Sequence, residues 1–117
     1  MSSAPENDRK TRIEILAFDG CPNRERAIAL VSQVVAEAGA EAEVRVIDVP
    51  DAQTAERTRF LGSPTIRVNG RDIEPGADAR RDFVYSCRVF RTESGLTGQP
   101  DPRWLHVALA NATRGAL

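Results

Sequence analysis

The stretch Ile15-Leu16-Ala17-Phe18-Asp19-Gly20-Cys21-Pro22-Asn23-Arg24 sets a cysteine where a hydrophobic strand turns into a long helix. A thiol reacts as its thiolate, and a helix N-terminus favours that form through unsatisfied N–H groups and about half a positive charge. Pro22 suits the first helical position, since its fixed φ is pre-organised and its missing donor is not needed there. Arg24, in the first turn, would add a permanent cation near the sulfur. Position and charge mark Cys21 as the more reactive thiol; the plainer alternative is a small buried residue. Asp19, before a glycine, reads as a turn residue bonding its own backbone rather than as a proton acceptor.

Other chemistries find little support. A zinc site would have to gather Cys21, Cys87, His106 and a carboxylate from scattered positions, without a Cys-x-x-Cys pair or a closely spaced histidine. A soft ion such as mercury needs only two thiolates, which keeps thiol-based metal handling as a minor alternative. There is no Gly-rich dinucleotide fingerprint and no phosphate-binding loop, so no cofactor is expected. Ser63 and Ser86 lack the surroundings of a nucleophile elbow. Tyr85 and Trp104 read as packing groups.

The elements that must position Cys21 follow from the apolar pattern. Ile13, Ile15 and Ala17 alternate with Glu14, Leu16 and Phe18, a strand that becomes apolar on both faces and belongs inside a sheet covered on both sides. From Pro22 the period turns helical, with Ile28, Val31, Val35 and Ala38 on one face and Gly39 as the terminator. Val44 to Val49 is a second strand, giving a right-handed βαβ unit with parallel strands. Asp51 caps a short helix reaching about Arg59. Thr65 to Val68 and Arg71 to Ile73 flank Asn69-Gly70, a hairpin turn. Phe83 to Phe90 fits either a strand or a short helix, Ser94 to Gln99 reads as a loop, and Asp101-Pro102 opens a last helix burying Leu105, Ala108, Leu109 and Ala112.

Length and composition set the frame: 117 residues suit one domain, 11–117, behind a disordered tail, 1–10. Hydrophobic residues at 41% and charged residues at 28% describe an ordinary globular chain, and a net charge of −1 argues against a nucleic-acid binder. No apolar run reaches membrane-spanning length, and the polar segment from Met1 to Lys10 has no signal-peptide core. A cytoplasmic, reducing compartment is the expectation, with two cysteines free or transiently paired.

The order βαβα then ββ, with a cysteine at the first strand-to-helix turn, resembles the thioredoxin-like fold, over about residues 12–76. Cys21-Pro22-Asn23-Arg24 is similar to a glutaredoxin-type Cys-Pro-x-Cys site with arginine in place of the second cysteine, and Gly62-Ser63-Pro64-Thr65 resembles the cis-proline loop. The resemblance implies an α/β fold with a mixed four-stranded sheet and a C-terminal helix. It also implies a substrate groove formed by Pro22, Ser63, Pro64 and Thr65, the residue before the proline presenting its backbone. A Ser-Pro step taken alone could equally start an edge strand. The missing second motif cysteine, Asn23 in place of the usual aromatic residue, and an irregular stretch from Phe83 depart from the pattern. In such a layout Cys87 is either the resolving thiol or a small apolar residue in the alternation Phe83, Tyr85, Cys87, Val89. The expected activity is thiol–disulfide exchange or reduction of an electrophile, with Cys21, Arg24 and Cys87 as catalytic candidates. Its partners would be a thiol or disulfide substrate, such as a glutathione-like thiol or a partner protein. The rival is a binding module that kept the scaffold and lost turnover.

Overall fold

The computed structural model describes residues 10–115, so the expected tail lies, except for Lys10, outside the described residues. The first strand, β1 (Thr11–Ala17), leads through the Cys21 turn into α1 (Arg24–Ala38), β2 (Ala42–Asp48) and α2 (Ala52–Arg57). A hairpin, β3 (Thr65–Val68) and β4 (Arg71–Asp72), and a 3-10 turn at Ala77–Ala79 follow; a second hairpin, β5 (Phe90–Thr92) and β6 (Gly95–Thr97), precedes α3 (Pro102–Gly115). The fold is α/β, and its mixed four-stranded sheet has the order β2-β1-β3-β4. β1 runs parallel to β2 with Ile13 opposite Val44, and antiparallel to β3 with Ile15 opposite Ile66.

The double-faced apolar pattern of β1 has a direct cause in the packing. Ile13 and Ile15 point to the face covered by α1 and α3, where they join Val31, Val34, Ile66, Leu105 and Leu109. Leu16 points the other way, onto Val49, Ala55 of α2 and Phe60. Fully burying each such aliphatic side chain is worth about 1.5–3 kcal/mol, which fixes β1 in the middle of the sheet. The second face is covered only at this end: Arg12, Glu43 and Arg45 lie on it and stay exposed. The expectation of cover on both sides therefore holds for one end of the sheet, because α2 has only six residues.

Local signals act as read at most element ends. Gly39 closes α1 in the left-handed conformation, and Asp51 accepts the Thr54 N–H at 2.8 Å to cap α2. Asn69 and Gly70 both have positive φ, 51° and 86°, as a tight hairpin turn requires. Asp101 accepts the Arg103 N–H at 2.9 Å at the start of α3. Two readings need correction. Ser94 to Gln99 is not simply a loop: it supplies β6, paired with β5 from Phe90 opposite Thr97. Phe83 to Phe90 is neither strand nor helix along most of its length; it is an irregular strap with one bridge, Ser63 to Cys87.

Candidate functional site

Cys21 sits at the C-terminal end of β1, in the turn ahead of α1. Its N–H donates to the Phe18 carbonyl at 3.2 Å and its carbonyl accepts from the Arg24 N–H at 3.2 Å. The helix begins later than expected, with Asn23 as N-cap, so Pro22 precedes the cap instead of filling the first helical position. The turn is buttressed from the far end of the chain: Gln99 Nε2 donates to the Asn23 carbonyl at 3.0 Å, and Gly98 lies against the Asn23 side chain. Arg24 pairs with Glu25 at 2.9 Å, so a carboxylate offsets the charge assigned from sequence to the sulfur.

The sulfur itself points inward. Cys21 is 7% exposed, and its Sγ lies 3.8 Å from the Ser63 carbonyl, a weak S–H···O contact. Ser63 precedes Pro64, and the peptide bond between them is cis. The residue is completely buried, and its polar groups are all engaged. Its N–H donates to the Ser86 carbonyl at 2.9 Å, its carbonyl accepts from the Arg88 N–H at 2.9 Å, and its Oγ accepts from the Phe18 N–H at 3.4 Å. The two strap bonds flank Cys87 and define a parallel bridge from Cys87 to Ser63. Cys87 and Cys21 thus both adjoin Ser63, one through strand pairing and one through its sulfur. Both thiols are free, Cys21 buried and Cys87 exposed.

The strap is held from beneath by Arg88, which is 3% exposed. Its guanidinium grips Asp72 with two bonds, 2.7 and 3.2 Å, reaches Glu74 Oε1 at 2.6 Å, and donates to Thr65 Oγ1 at 3.0 Å. Its Cζ stands 4.5 Å from the Phe90 ring centroid. Arg80 reaches the same Glu74 at 3.4 Å and offsets the second carboxylate. Thr65 Oγ1 in turn donates to the Gly62 carbonyl at 2.7 Å. On the outer side, the Tyr85 ring lies 5.1 Å from that of Phe18. Gly62 is required here: at φ 121°, a Cβ would stand 2.8 Å from Arg88 Cβ and 3.2 Å from the Ser86 carbonyl.

Among the residues named from sequence, Cys21, Ser63 and Cys87 come together. Pro64 and Thr65 lie beside them but are fully buried, Thr65 committed to Arg88. Pro22 is exposed next to Cys21, and Arg24 is turned to Glu25. Arg88 escaped the sequence reading, since no local pattern distinguishes a buried arginine from an exposed one, and Ser86 was weighed there only for its hydroxyl, not for the backbone carbonyl that bonds Ser63. The apolar alternation through Phe83, Tyr85, Cys87 and Val89 does not hold in the structure: the chain from Val84 to Cys87 and Val89 are exposed, while Arg88 and Phe90 point inward.

Among the described residues no group of three or more His, Cys, Asp and Glu is placed to hold a metal ion. A cavity of about 370 Å³ between β4 and α3, lined by Ile73, Trp104 and Ala108 among others, contains neither cysteine. No described helix is long and apolar enough to cross a membrane.

Burial makes access run against the ranking of thiol reactivity expected from sequence. A bulky maleimide is expected to modify Cys87 several-fold faster than Cys21 in the native protein, the difference vanishing in denaturant; peptide mapping reads the ratio. The stretch entering the strap has its own acid dependence. Arg80 forks onto Asp82 with bonds of 3.0 and 2.6 Å and holds that carboxyl at about 2. A carboxylate depressed when folded stabilises above its unfolded value, about 3.9, and that contribution is lost as pH falls through the folded value. Acid unfolding between about pH 4 and 2 is therefore expected to be shallower in Asp82→Asn than in the parent, by circular dichroism.

No family model matches the chain, and neither does any curated protein or solved structure.

Proposed function

We propose that the protein is a small thiol oxidoreductase on a thioredoxin-like scaffold, working in a reducing, cytosolic compartment on a thiol or disulfide substrate. The observation that carries this reading is the meeting of both cysteines at Ser63: Cys21 Sγ at its carbonyl and Cys87 in its strand bridge. Both cysteines neighbour one residue, and a disulfide needs Cα atoms within about 7 Å, so the reading requires the Cys21 turn and the Cys87 backbone to close to that distance. The Cys21 thiolate attacks one sulfur of a disulfide RSSR, forming a mixed disulfide and releasing RS⁻. The Cys87 thiolate then attacks the Cys21 sulfur, releasing the second RS⁻ and leaving a Cys21–Cys87 bond. An external low-molecular-weight thiol, oxidised to its own disulfide, returns both cysteines to the reduced state. A non-catalytic binding module would need the groove between Cys21 and Ser63-Pro64 open, and the strap lies across Ser63.

Mild oxidation with diamide tests the reading. The expected product is a monomer carrying one internal disulfide, seen as the loss of a pair of hydrogens by mass spectrometry. It should be absent from Cys21→Ser and from Cys87→Ser. Oxidation giving only dimers or adducts with external thiols would remove Cys87 as the resolving residue.

A further inference from the structure

We infer that the strap from Val84 to Arg88 is a built-in occupant of the strand-pairing position beside Cys21, so that the site takes compact disulfides and excludes extended polypeptides. The inference rests on the thiol-oxidoreductase reading and adds its substrate class. An extended peptide recognised by strand addition bonds through the backbone N–H and carbonyl of the strand it joins. At Ser63 those two groups are already bonded to Ser86 and Arg88 of the same chain. Displacing the strap means giving up both bonds, together with the Val84 N–H bond to the Phe60 carbonyl at 2.9 Å and the contact of Tyr85 with Phe18. It also disturbs Arg88, whose charge is matched underneath by Asp72 and Glu74.

The sequence around the strap is fitted to keep it there. Gly62 leaves room for Arg88 Cβ that any other residue would fill, and the whole of Ser63 is buried under the covering chain. What a substrate must reach is Cys21 Sγ, on a residue 7% exposed. A substrate recognised through its own peptide backbone finds no partner, whereas a small disulfide needs only a line of approach to Sγ. The reaction is the exchange already written, with both R groups short and unbranched.

The test uses the full chain carrying Cys87→Ser, so that the mixed disulfide at Cys21 accumulates and is counted by mass spectrometry. The probes are bis(2-hydroxyethyl) disulfide and a disulfide joining two unstructured peptides, each rate divided by its rate with free cysteine. The compact probe should be favoured by about thirtyfold or more, the factor for giving up two backbone hydrogen bonds. Gly62→Ala, which forces the strap outward, and Tyr85→Ala, which releases its outer contact, should each lower that preference and expose the Arg88 amide to hydrogen exchange. Equal normalised rates in the parent overturn the inference while leaving the oxidoreductase reading intact. So does a preference that persists in both variants once the Arg88 amide exchanges freely. Reaction with neither probe above the free-cysteine rate overturns the oxidoreductase reading itself, and the inference with it.

Discussion

Replacing Arg88 with methionine is expected to destabilise the protein by about 3–5 kcal/mol, the range for removing one partner from a buried ion pair. Methionine retains most of the apolar stem but none of the charge. Asp72 and Glu74, with side chains 9% and 17% exposed, would then be left together in poorly solvated surroundings, with Arg80, 3.4 Å from Glu74, as a partial offset. The attraction to the Phe90 ring disappears as well. Urea unfolding measures the loss as a lowered midpoint. Arg88→Lys should fall between parent and Arg88→Met, because an ammonium keeps the charge but cannot grip Asp72 with a planar fork. Combining Arg88→Met with Asp72→Asn and Glu74→Gln should recover part of the loss, since the stranded carboxylates are the larger cost. A penalty below about 1 kcal/mol for Arg88→Met would show that the network does not anchor the strap.

Cys21→Ser is expected to reduce disulfide-exchange activity to the level of buffer thiols, because a serine hydroxyl without an activating base does not attack a disulfide. Cys87→Ser should separate the two steps: Cys21 still forms the mixed disulfide, which then persists until external thiol removes it. The contrast is read by trapping with a compact disulfide, following adduct mass against time for each variant. Loss of the first step in Cys87→Ser, with the fold intact by circular dichroism, would exchange the roles of the two cysteines.

The division between what sequence revealed and what it concealed is physical. The βαβ unit, the Asn69-Gly70 turn, the Gly39 terminator and the Asp51 and Asp101 caps depend on local chemistry, which periodicity and residue type report. Cys21 was found because it lies at the junction of such elements, and Ser63 through the likeness of Gly62-Ser63-Pro64-Thr65 to a cis-proline loop. The strap was not legible: its backbone attachments, the bridge between Ser63 and Cys87 and the Val84 bond to Phe60, are made by groups that every residue carries. Its burial also contradicts residue type, since Arg88 turns inward while Tyr85 and Val89 stay exposed. Only the tertiary arrangement, with Asp72 and Glu74 beneath, makes an arginine the right residue there. The β5–β6 hairpin escaped for a simpler reason: its strands are three residues each, too short for an alternation to register.

Arg88 and Cys87 are consecutive, so the ion-pair network and the candidate redox bond act on one stretch of backbone. They form two legs of a thermodynamic cycle, and the coupling between them is reciprocal. Whatever free energy the network would contribute to bringing Cys87 to Cys21, the proposed Cys21–Cys87 bond would return to the network. Weakening the carboxylates by 1.4 kcal/mol of coupling would shift the midpoint potential of the pair by about 30 mV toward easier reduction. Two carboxylates that touch neither sulfur would in this way set how oxidising the pair is.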